Sequence, residues 1–347
     1  MSDSPRCDSL LSPGMVCLLV LLSGALQSAV PAHAQSGPGD SSTEYVAVVP
    51  ERGEGIWALL RRNGIVPTPA SVAEFKELNA DRLRGRETLR SDISYRLPGG
   101  TRASIHPIFG PAYERVVHKS RVLEGHVYYL VSGHGGPDPG SIGTYRGKRV
   151  YEDEIAYDTM LRTARELIAH GATVEIIIQD DDGIRDEEHL EGDKDERHAD
   201  GSAIALNPVK RLKARTELIN TLYRKHRKTA KEQRVLAFHV DATGLRVEPQ
   251  IDVHFVHATP GGYAVSRTLS NTMRAKYAAH QPGRGYRQRI ERRNLYILQN
   301  TIPVAVLVEL GNIRHQGDQI RLMKPGNRQA LAEWLTDGIL ATAGVKV

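Results

Sequence analysis

Residues 126–343 alternate between short apolar segments and longer amphipathic ones, and this alternation constrains the fold more than any other feature of the chain. The patterns predict strands at 126–132, 173–179, 234–239, 251–257, 295–299 and 304–309, and helices at 152–170, 208–228, 262–279 and 327–343. Strands that alternate with helices are typical of a mostly parallel sheet with helices on its faces. We therefore predict an α/β domain at 126–347, with a mostly parallel mixed sheet flanked by helices.

The first 34 residues have the pattern of an export signal. Arg6 precedes the apolar segment Met15–Leu22, and the small-residue sequence Ala32-His33-Ala34 follows it. We expect cleavage after Ala34 and a polar spacer at 35–43. No apolar run approaches the roughly 20 residues that a membrane span needs. The sequence thus predicts a protein that is exported to the periplasm or cell envelope, without a transmembrane anchor after cleavage.

Both cysteines, Cys7 and Cys17, lie within the predicted signal. A mature chain without cysteine excludes a disulfide scaffold, Cys-ligated metal sites and a Cys nucleophile. Any bound metal must therefore be held by His and carboxylate side chains. The formal net charge is +5, and in an exported protein it suits an anionic envelope polymer better than nucleic acid. We expect no nucleic-acid partner.

Residues 44–98 predict a small α+β domain ahead of the larger one. Its pattern gives strands at 45–49 and 93–97 and helices at 55–63 and 72–79. The segments YVAVVPERGEGIWALLRRNGI and FKELNADRL resemble a lysin motif (LysM) module, although Gly53-Glu54-Gly55 replaces the usual Gly-Asp-Thr. The resemblance implies glycan binding, and a purely structural role stays open. Residues 99–125 are expected to be a connector.

Residues 180–200 form a densely acidic insertion, DDDGIRDEEHLEGDKDERHAD. Three interpretations remain open for it: a solvated surface loop, a calcium-binding loop, or a lid over the active site. The spacing of the acids matches no EF-hand.

Polar side chains follow three of the predicted strands at the point where each strand ends. They are His134 in the glycine-rich turn 133–140, His239 and Asp241 after strand 234–238, and Glu309 and Asn312 after strand 304–308. In open α/β sheets, ligands bind at the carboxyl ends of strands. The glycine-rich turn lacks both nucleotide-binding patterns, and no Gly-x-Ser-x-Gly elbow occurs. Metal-assisted hydrolysis is the chemistry that remains.

Catalytic zinc commonly takes two His and one Glu and keeps one position open. Glu152, at the start of helix 152–170, can supply the carboxylate. Glu309 then remains for proton transfer, since burial at the end of an apolar strand raises a carboxyl pKa. Asp252 and His254 share one face of strand 251–257 and form an alternative ligand set.

Several motifs, in this order along the chain, resemble those of the zinc-dependent N-acetylmuramoyl-L-alanine amidases. They are His134–Gly143 (HGGPDPGSIG), Glu152, the set Leu212, Arg215 and Asn220, the pair Phe238-His239, the segment 293–298 (RNLYIL), and Val308–Gly311 (VELG). The resemblance covers residues 126–343. It implies a phosphorylase/hydrolase-like fold, Zn²⁺ as cofactor and peptidoglycan as substrate.

For individual residues, the resemblance implies that His134, Glu152 and His239 bind zinc. Glu309 would act as general base and then as general acid in cleavage of the amide between N-acetylmuramic acid and L-alanine. Arg215 is expected to support the site from behind the ligands.

Two positions depart from the family pattern, because Asp241 stands where Asn is usual and Asn312 where Phe is usual. We expect these two residues to affect substrate preference or to tune the metal. A non-catalytic peptidoglycan-binding protein and a zinc peptidase remain alternatives, and a protein activator is a further possible partner.

Overall fold

The computed structural model describes residues 45–345 except 46, 64, 66, 99–102 and 244–251. The predicted signal peptide at 1–34 and the spacer at 35–43 lie outside the described residues. Within the described part, none of the helices combines the length and apolar character needed to cross a bilayer.

The N-terminal unit is built around its own small core. Its elements are β1 (Ala47–Val48), α1 (Ile56–Arg62), α2 (Pro69–Leu78), α3 (Ala80–Leu83) and β2 (Tyr95–Arg96). The two strands pair antiparallel. Leu59, Leu60, Phe75 and Tyr95 are buried together in this core. A capping box between Thr68 and Ser71 starts α2. The predicted order of strand, two helices and strand is present, with the short α3 added.

The predicted connector carries structure of its own. A hairpin pairs β3 (Ala103–Ile105) with β4 (Arg115–Val117), and a 3-10 turn, Pro107–Phe109, lies between the strands. Phe109 and Val116 are fully buried in the core of the α/β domain. The second half of the connector therefore packs as part of that domain.

The α/β domain contains ten strands and six helices among the described residues. The strands are β5 (His126–Ser132), β6 (Ile142–Tyr145), β7 (Lys148–Tyr151), β8 (Thr173–Ile176), β9 (Ile178–Gln179), β10 (Arg197–His198), β11 (Glu232–Asp241), β12 (His254–His257), β13 (Ile290–Arg292) and β14 (Val304–Asn312). The helices are α4 (Glu152–Ala169), α5 (Pro208–His226), α6 (Pro260–His280), α7 (Tyr296–Asn300), α8 (Gln316–Met323) and α9 (Pro325–Thr342).

Six of these strands form one sheet in the order β13-β12-β14-β11-β5-β8. Neighbouring strands run parallel except for the antiparallel pair β12 and β14. The predicted mostly parallel mixed sheet is confirmed. The three central strands are buried on both faces, because their apolar runs alternate between two cores. Helices α4, α6 and α9 cover one face, and α5 and α7 cover the other.

The prediction of a strand at 295–299 is wrong, because this segment forms helix α7. A short apolar run does not distinguish a strand from a buried helical turn. Here the helix is favoured by polar side chains at its end, where Asn300 and Thr301 donate to the carbonyls of Tyr296 and Ile297 four residues earlier. The edge position of the sheet is taken by β13, which the sequence did not indicate.

The acidic insertion is fixed to the body of the domain. Strand β9, which directly precedes the insertion, pairs antiparallel with β10 near the end of the insertion. Arg162 of α4 and Arg328 of α9 both donate to the carbonyl of Arg185 within the insertion. The carboxylate of buried Asp158 lies between these two arginines. The insertion is therefore anchored by buried charged groups and not only by surface contacts.

Candidate metal and catalytic site

Three predicted ligands converge at the carboxyl ends of β5 and β11. His134 follows β5, Glu152 is the first residue of α4, and His239 lies near the end of β11. One possible ligand atom from each lies within 4.8 Å of the other two. β5 and β11 pair in parallel, which brings residues about a hundred positions apart in sequence to one edge.

The carboxylate of Glu152 lies between the two imidazoles. Its Oε1 is 3.3 Å from Nε2 of His134 and 2.9 Å from Nδ1 of His239. The imidazole rings meet edge to face, with centroids 5.1 Å apart. The backbone N–H groups of Ser141 and Val240 donate to the two carboxylate oxygens. Glu152 is thereby fixed from both sides, while its oxygens still face the histidines.

Two glycines are required by the close approach of these side chains. A Cβ at Gly133 would lie 2.0 Å from Cε1 of His239. A Cβ at Gly140, where φ is +67°, would lie 2.8 Å from both Glu152 Oε2 and His134. The glycine-rich turn thus leaves room for the ligands.

Charged partners behind the site orient His134. Asp138 Oδ2 lies 2.7 Å from Nδ1 of His134 and also pairs with Arg211. The fully buried guanidinium of Arg215 donates to the carbonyls of Gly133 and His134. A carboxylate on one imidazole nitrogen leaves the other nitrogen, Nε2, free to face a metal. Arg215 thus holds the backbone of the turn from the side opposite the candidate ligands.

Glu309 lies on the same face of the sheet as His239. It pairs with His239 on β11 and with His254 on β12, so the three side chains form a row across the sheet. Glu309 is 7% exposed, and its Oε2 has no hydrogen-bond partner among the described residues. Burial, reinforced by repulsion from Glu152 and Asp241, raises the pKa of Glu309 to about 8. A carboxyl with a pKa near neutrality can both accept and release a proton.

The three candidate ligands also have shifted pKa values. Burial opposes the charged form of His134, but Asp138 and Glu152 outweigh it and raise the pKa of His134 to about 9. Burial also opposes the charge on Glu152, and the two histidines outweigh it and lower the pKa of Glu152. The pKa of His239 is lowered by burial, against the opposing effect of Glu152. Without a metal, the Glu152 carboxylate is therefore paired with a protonated His134, at the position where a cation would replace that proton.

Two predicted residues, Asp241 and Asn312, lie beyond the central group. They pair with each other across β11 and β14, after a shift of register that follows His239. Asn312 is fully buried; its amide donates to the carbonyl of Thr243, and its Oδ1 accepts from Arg314 N. It thus holds the loops after the strands. The Asp241 carboxylate is partly exposed and lies 4.0 Å from Arg289.

The alternative ligand set is not brought together. The Asp252 carboxylate accepts from Arg284 and from the backbone N–H of Arg287. His254 is buried beside Glu309 instead. Among the described residues, no metal-compatible group contains either Asp252 or His254.

Sequence reasoning did not identify Asp138 as the partner of His134, or His254 as the cross-strand neighbour of Glu309. The four-residue spacing of Asp138 from His134 within the turn was a usable signal for an orienting carboxylate. The pairing of His254 with Glu309 depends on the antiparallel register of β12, for which the sequence carried no signal.

Two imidazoles and a carboxylate form the donor set that zinc prefers in catalytic sites, and Asp138 supplies the outer carboxylate that such sites use to orient a histidine. The residues present therefore fit Zn²⁺. Beside the histidines lies a cavity of about 140 Å³, whose walls include Arg211, Leu212 and Ile297.

Comparison with known proteins identifies a family for this part of the chain. Residues 129–341 match the sequence profile described as N-acetylmuramoyl-L-alanine amidase. No curated protein sequence matches the chain significantly.

The solved structures to which this chain is similar include three amidases. An N-acetylmuramoyl-L-alanine amidase of Nostoc punctiforme is 18% identical, with 64% of this chain and 98% of that chain covered and a TM-score of 0.46. The catalytic domain of an amidase from Paenibacillus polymyxa is 20% identical, with 64% and 99% covered and a TM-score of 0.45. An amidase from Clostridioides difficile, in complex with the GerS lipoprotein, is 16% identical, with 63% and 99% covered and a TM-score of 0.47.

Proposed function

Since this chain belongs to the N-acetylmuramoyl-L-alanine amidase family, we propose that it is a zinc-dependent hydrolase of peptidoglycan. The bond cleaved is the amide that joins the lactyl group of N-acetylmuramic acid to L-alanine. One observation carries the proposal: His134, Glu152 and His239 offer ligand atoms within 4.8 Å of one another, beside the buried Glu309.

His134, Glu152 and His239 would hold the metal, and the family as a whole is metal-dependent. When bound there, Zn²⁺ supplies Lewis-acid activation of the amide carbonyl and of water. Asp138, on Nδ1 of His134, would keep this histidine in the tautomer whose Nε2 is available to a metal, and Arg215 fixes the backbone that carries it.

Glu309 performs the proton transfers. Its carboxylate takes a proton from the attacking water and returns it to the nitrogen of L-alanine as the C–N bond breaks. The high pKa that burial gives this carboxyl favours its return to the protonated form, and a cation in the neighbouring triad would stabilise the carboxylate needed for the first step. No covalent intermediate with the protein is required.

The remaining parts of the chain suit delivery to the cell wall. Residues 1–34 would direct export, and cell-wall amidases of this family are generally exported.

The unit at 44–98 would act as a LysM-like glycan-binding module. Trp57 on α1 is 49% exposed and offers an aromatic surface on which a sugar can stack. Loss of binding to insoluble peptidoglycan in Trp57→Ala, with activity on soluble fragments retained, would support this role.

The decisive experiment combines zinc stoichiometry with mass spectrometry of muropeptides treated with the purified protein. We expect about one zinc per chain and release of peptides that begin with L-alanine. Glu309→Gln should retain zinc and lose hydrolysis, whereas Glu333→Gln, an exposed glutamate on α9, serves as the matched control. Cleavage within the stem peptide would indicate a zinc peptidase. Peptidoglycan binding without zinc or cleavage would indicate a non-catalytic wall-binding protein.

A further inference from the structure

A second group of carboxylates lies beside the candidate metal site. We call it the acidic cluster, and its members are Asp153, Glu154, Asp180, Asp182, Asp193 and Glu196. The first two directly follow Glu152 at the start of α4, and the other four belong to the acidic insertion. The fold thus brings two separate acidic segments together.

The geometry of the acidic cluster suits shared coordination. Its members form three overlapping triads, and in each triad one oxygen per residue lies within 4.8 Å of the other two. Glu154, Asp180 and Glu196 each belong to two triads, which links the three groups into one. Oxygens bound to one Ca²⁺ at about 2.3–2.6 Å can be at most about 5 Å apart. Each triad therefore satisfies the spacing that a single ion requires.

The negative charge of the acidic cluster is only partly compensated. Arg185 pairs with Glu154 and with Asp182. Within the described ranges, no Lys or Arg forms an ion pair with Asp153, Asp180, Asp193 or Glu196. Asp153 and Glu196 are nevertheless 1% and 5% exposed. Burial of an unpaired carboxylate is costly unless a cation or a proton neutralises it.

A second and independent observation is an unsatisfied oxygen at Asp180. This residue is 7% exposed, and its Oδ1 accepts from the N–H of Asp182 at 3.0 Å. Its Oδ2 is buried and has no hydrogen-bond partner in the part of the chain that the structure describes. A buried polar atom is almost always satisfied in a folded protein. The missing partner is one that a cation would supply.

We propose that the acidic cluster binds a hard divalent cation of the Ca²⁺ class, at a site distinct from the His134, Glu152 and His239 triad. All the available donors are carboxylate oxygens, which favour Ca²⁺ over zinc. Several carboxylates contributed by an irregular loop suit the six to eight oxygens and flexible geometry of Ca²⁺ better than the strict octahedron of Mg²⁺.

The position of the acidic cluster gives such a cation a structural effect. Glu196 Oε2 accepts from the N–H of Gly136 at 2.6 Å, within the turn that carries His134. The Glu154 carboxylate accepts from the N–H of Asp193 at 3.2 Å. A bound cation would therefore join the insertion to the His134 turn and to the first turn of α4, where Glu152 lies.

The test measures Ca²⁺ binding directly and does not depend on amidase activity. Purified protein is stripped with a chelator, reloaded with Zn²⁺, and titrated with CaCl₂ or MgCl₂ by calorimetry and thermal melting. We expect Ca²⁺ to raise the melting temperature of the wild type by about 5–10 °C at a concentration of 100 times its Kd. Mg²⁺ should have a smaller effect.

Substitutions test whether Ca²⁺ binds at the acidic cluster. Asp180→Asn and Glu196→Gln should weaken Ca²⁺ binding at least about tenfold, whereas Glu191→Gln, an exposed acid of the same insertion, should bind as the wild type does. In chelator, Asp180→Asn should be at least as stable as the wild type, because one buried repulsive charge is removed. If a buried variant fails to fold, Asp193→Asn, at an exposed member of the acidic cluster, takes its place.

Three results would overturn the proposal: no Ca²⁺-dependent shift in the wild type, an equal shift in Asp180→Asn, or tighter binding of Mg²⁺ than of Ca²⁺. Stabilisation on acidification alone, without a response to Ca²⁺, would mean that protons neutralise the acidic cluster. Failure of the triad to bind zinc would refute the proposed function without affecting these results.

Discussion

Replacement of Gly133 by alanine tests the proposed ligand geometry most directly. The new Cβ would lie 2.0 Å from Cε1 and 2.2 Å from Nε2 of His239, and Gly133 has no positive φ that would add backbone strain. Ordinary contact begins near 3.4 Å, so the His239 ring must move by roughly 1.4 Å, the difference between 3.4 and 2.0 Å. Zinc–nitrogen distances tolerate only about 0.2 Å. The substitution should therefore displace one ligand from the site.

We expect Gly133→Ala to weaken zinc binding about 10- to 100-fold and to lower kcat/KM about 100-fold. Competition with a chromophoric chelator measures the first quantity, and hydrolysis of purified muropeptides measures the second. Gly326→Ala is the matched control, since no atom lies within 4 Å of its new Cβ and it falls in the first turn of α9.

A double variant separates this clash from general damage to the fold. In chelator, Gly133→Ala should lose about 1–3 kcal/mol of stability through overpacking. His239→Ala removes the ring against which the new methyl group packs, but it also takes from buried Glu152 one of its two imidazole partners. Gly133→Ala should therefore cost less stability in the His239→Ala background than in the wild type. Wild-type zinc affinity in Gly133→Ala, or an equal stability cost in both backgrounds, would refute the assigned position of His239.

Three further predictions concern Glu309 and Asp138. Glu309→Gln should reduce kcat about 10²- to 10⁴-fold while zinc stoichiometry, measured by elemental analysis, stays unchanged. Burial raises the pKa of Glu309 from 4.5 to about 8, so in metal-free protein its stabilising protonated form is fully effective below pH 4.5 and is lost as the pH rises through about 8. Melting curves in chelator should consequently depend less on pH in Glu309→Gln than in the wild type. Asp138→Asn should weaken zinc binding about 10- to 100-fold, because His134 loses the carboxylate that orients it; unchanged affinity would exclude that role.

The sequence predicted the central sheet well, because its determinants are local. The apolar runs of β5, β11 and β14 are short, strongly patterned and separated by helices, and few other arrangements can bury them. The same reasoning placed His134, His239 and Glu309 at one edge of the sheet, since parallel strands end together. Glu152 followed from its position at the start of α4.

The remaining features depend on contacts between segments that are distant in sequence. The segment that forms α7 was predicted as a strand, because five residues are too few to show whether the apolar positions repeat with the period of a helix or of a strand. The antiparallel register of β12, which places His254 beside Glu309, is set by packing across the sheet. The sequence shows that the insertion is acidic, but it does not show where the acidic side chains lie. Only the fold brings Glu196 against the His134 turn and joins the insertion to α4.

The three candidate zinc ligands are spread over about a hundred residues, and each depends on a different element. In the unfolded chain the entropy cost of closing such loops would keep them apart. They meet only after β5 and β11 have paired. A metal that binds them therefore binds only the folded chain, and its binding free energy adds to the free energy of folding. A chain that has not yet folded is therefore inert toward the polymer it is proposed to cut, and completion of the sheet is the step that activates it.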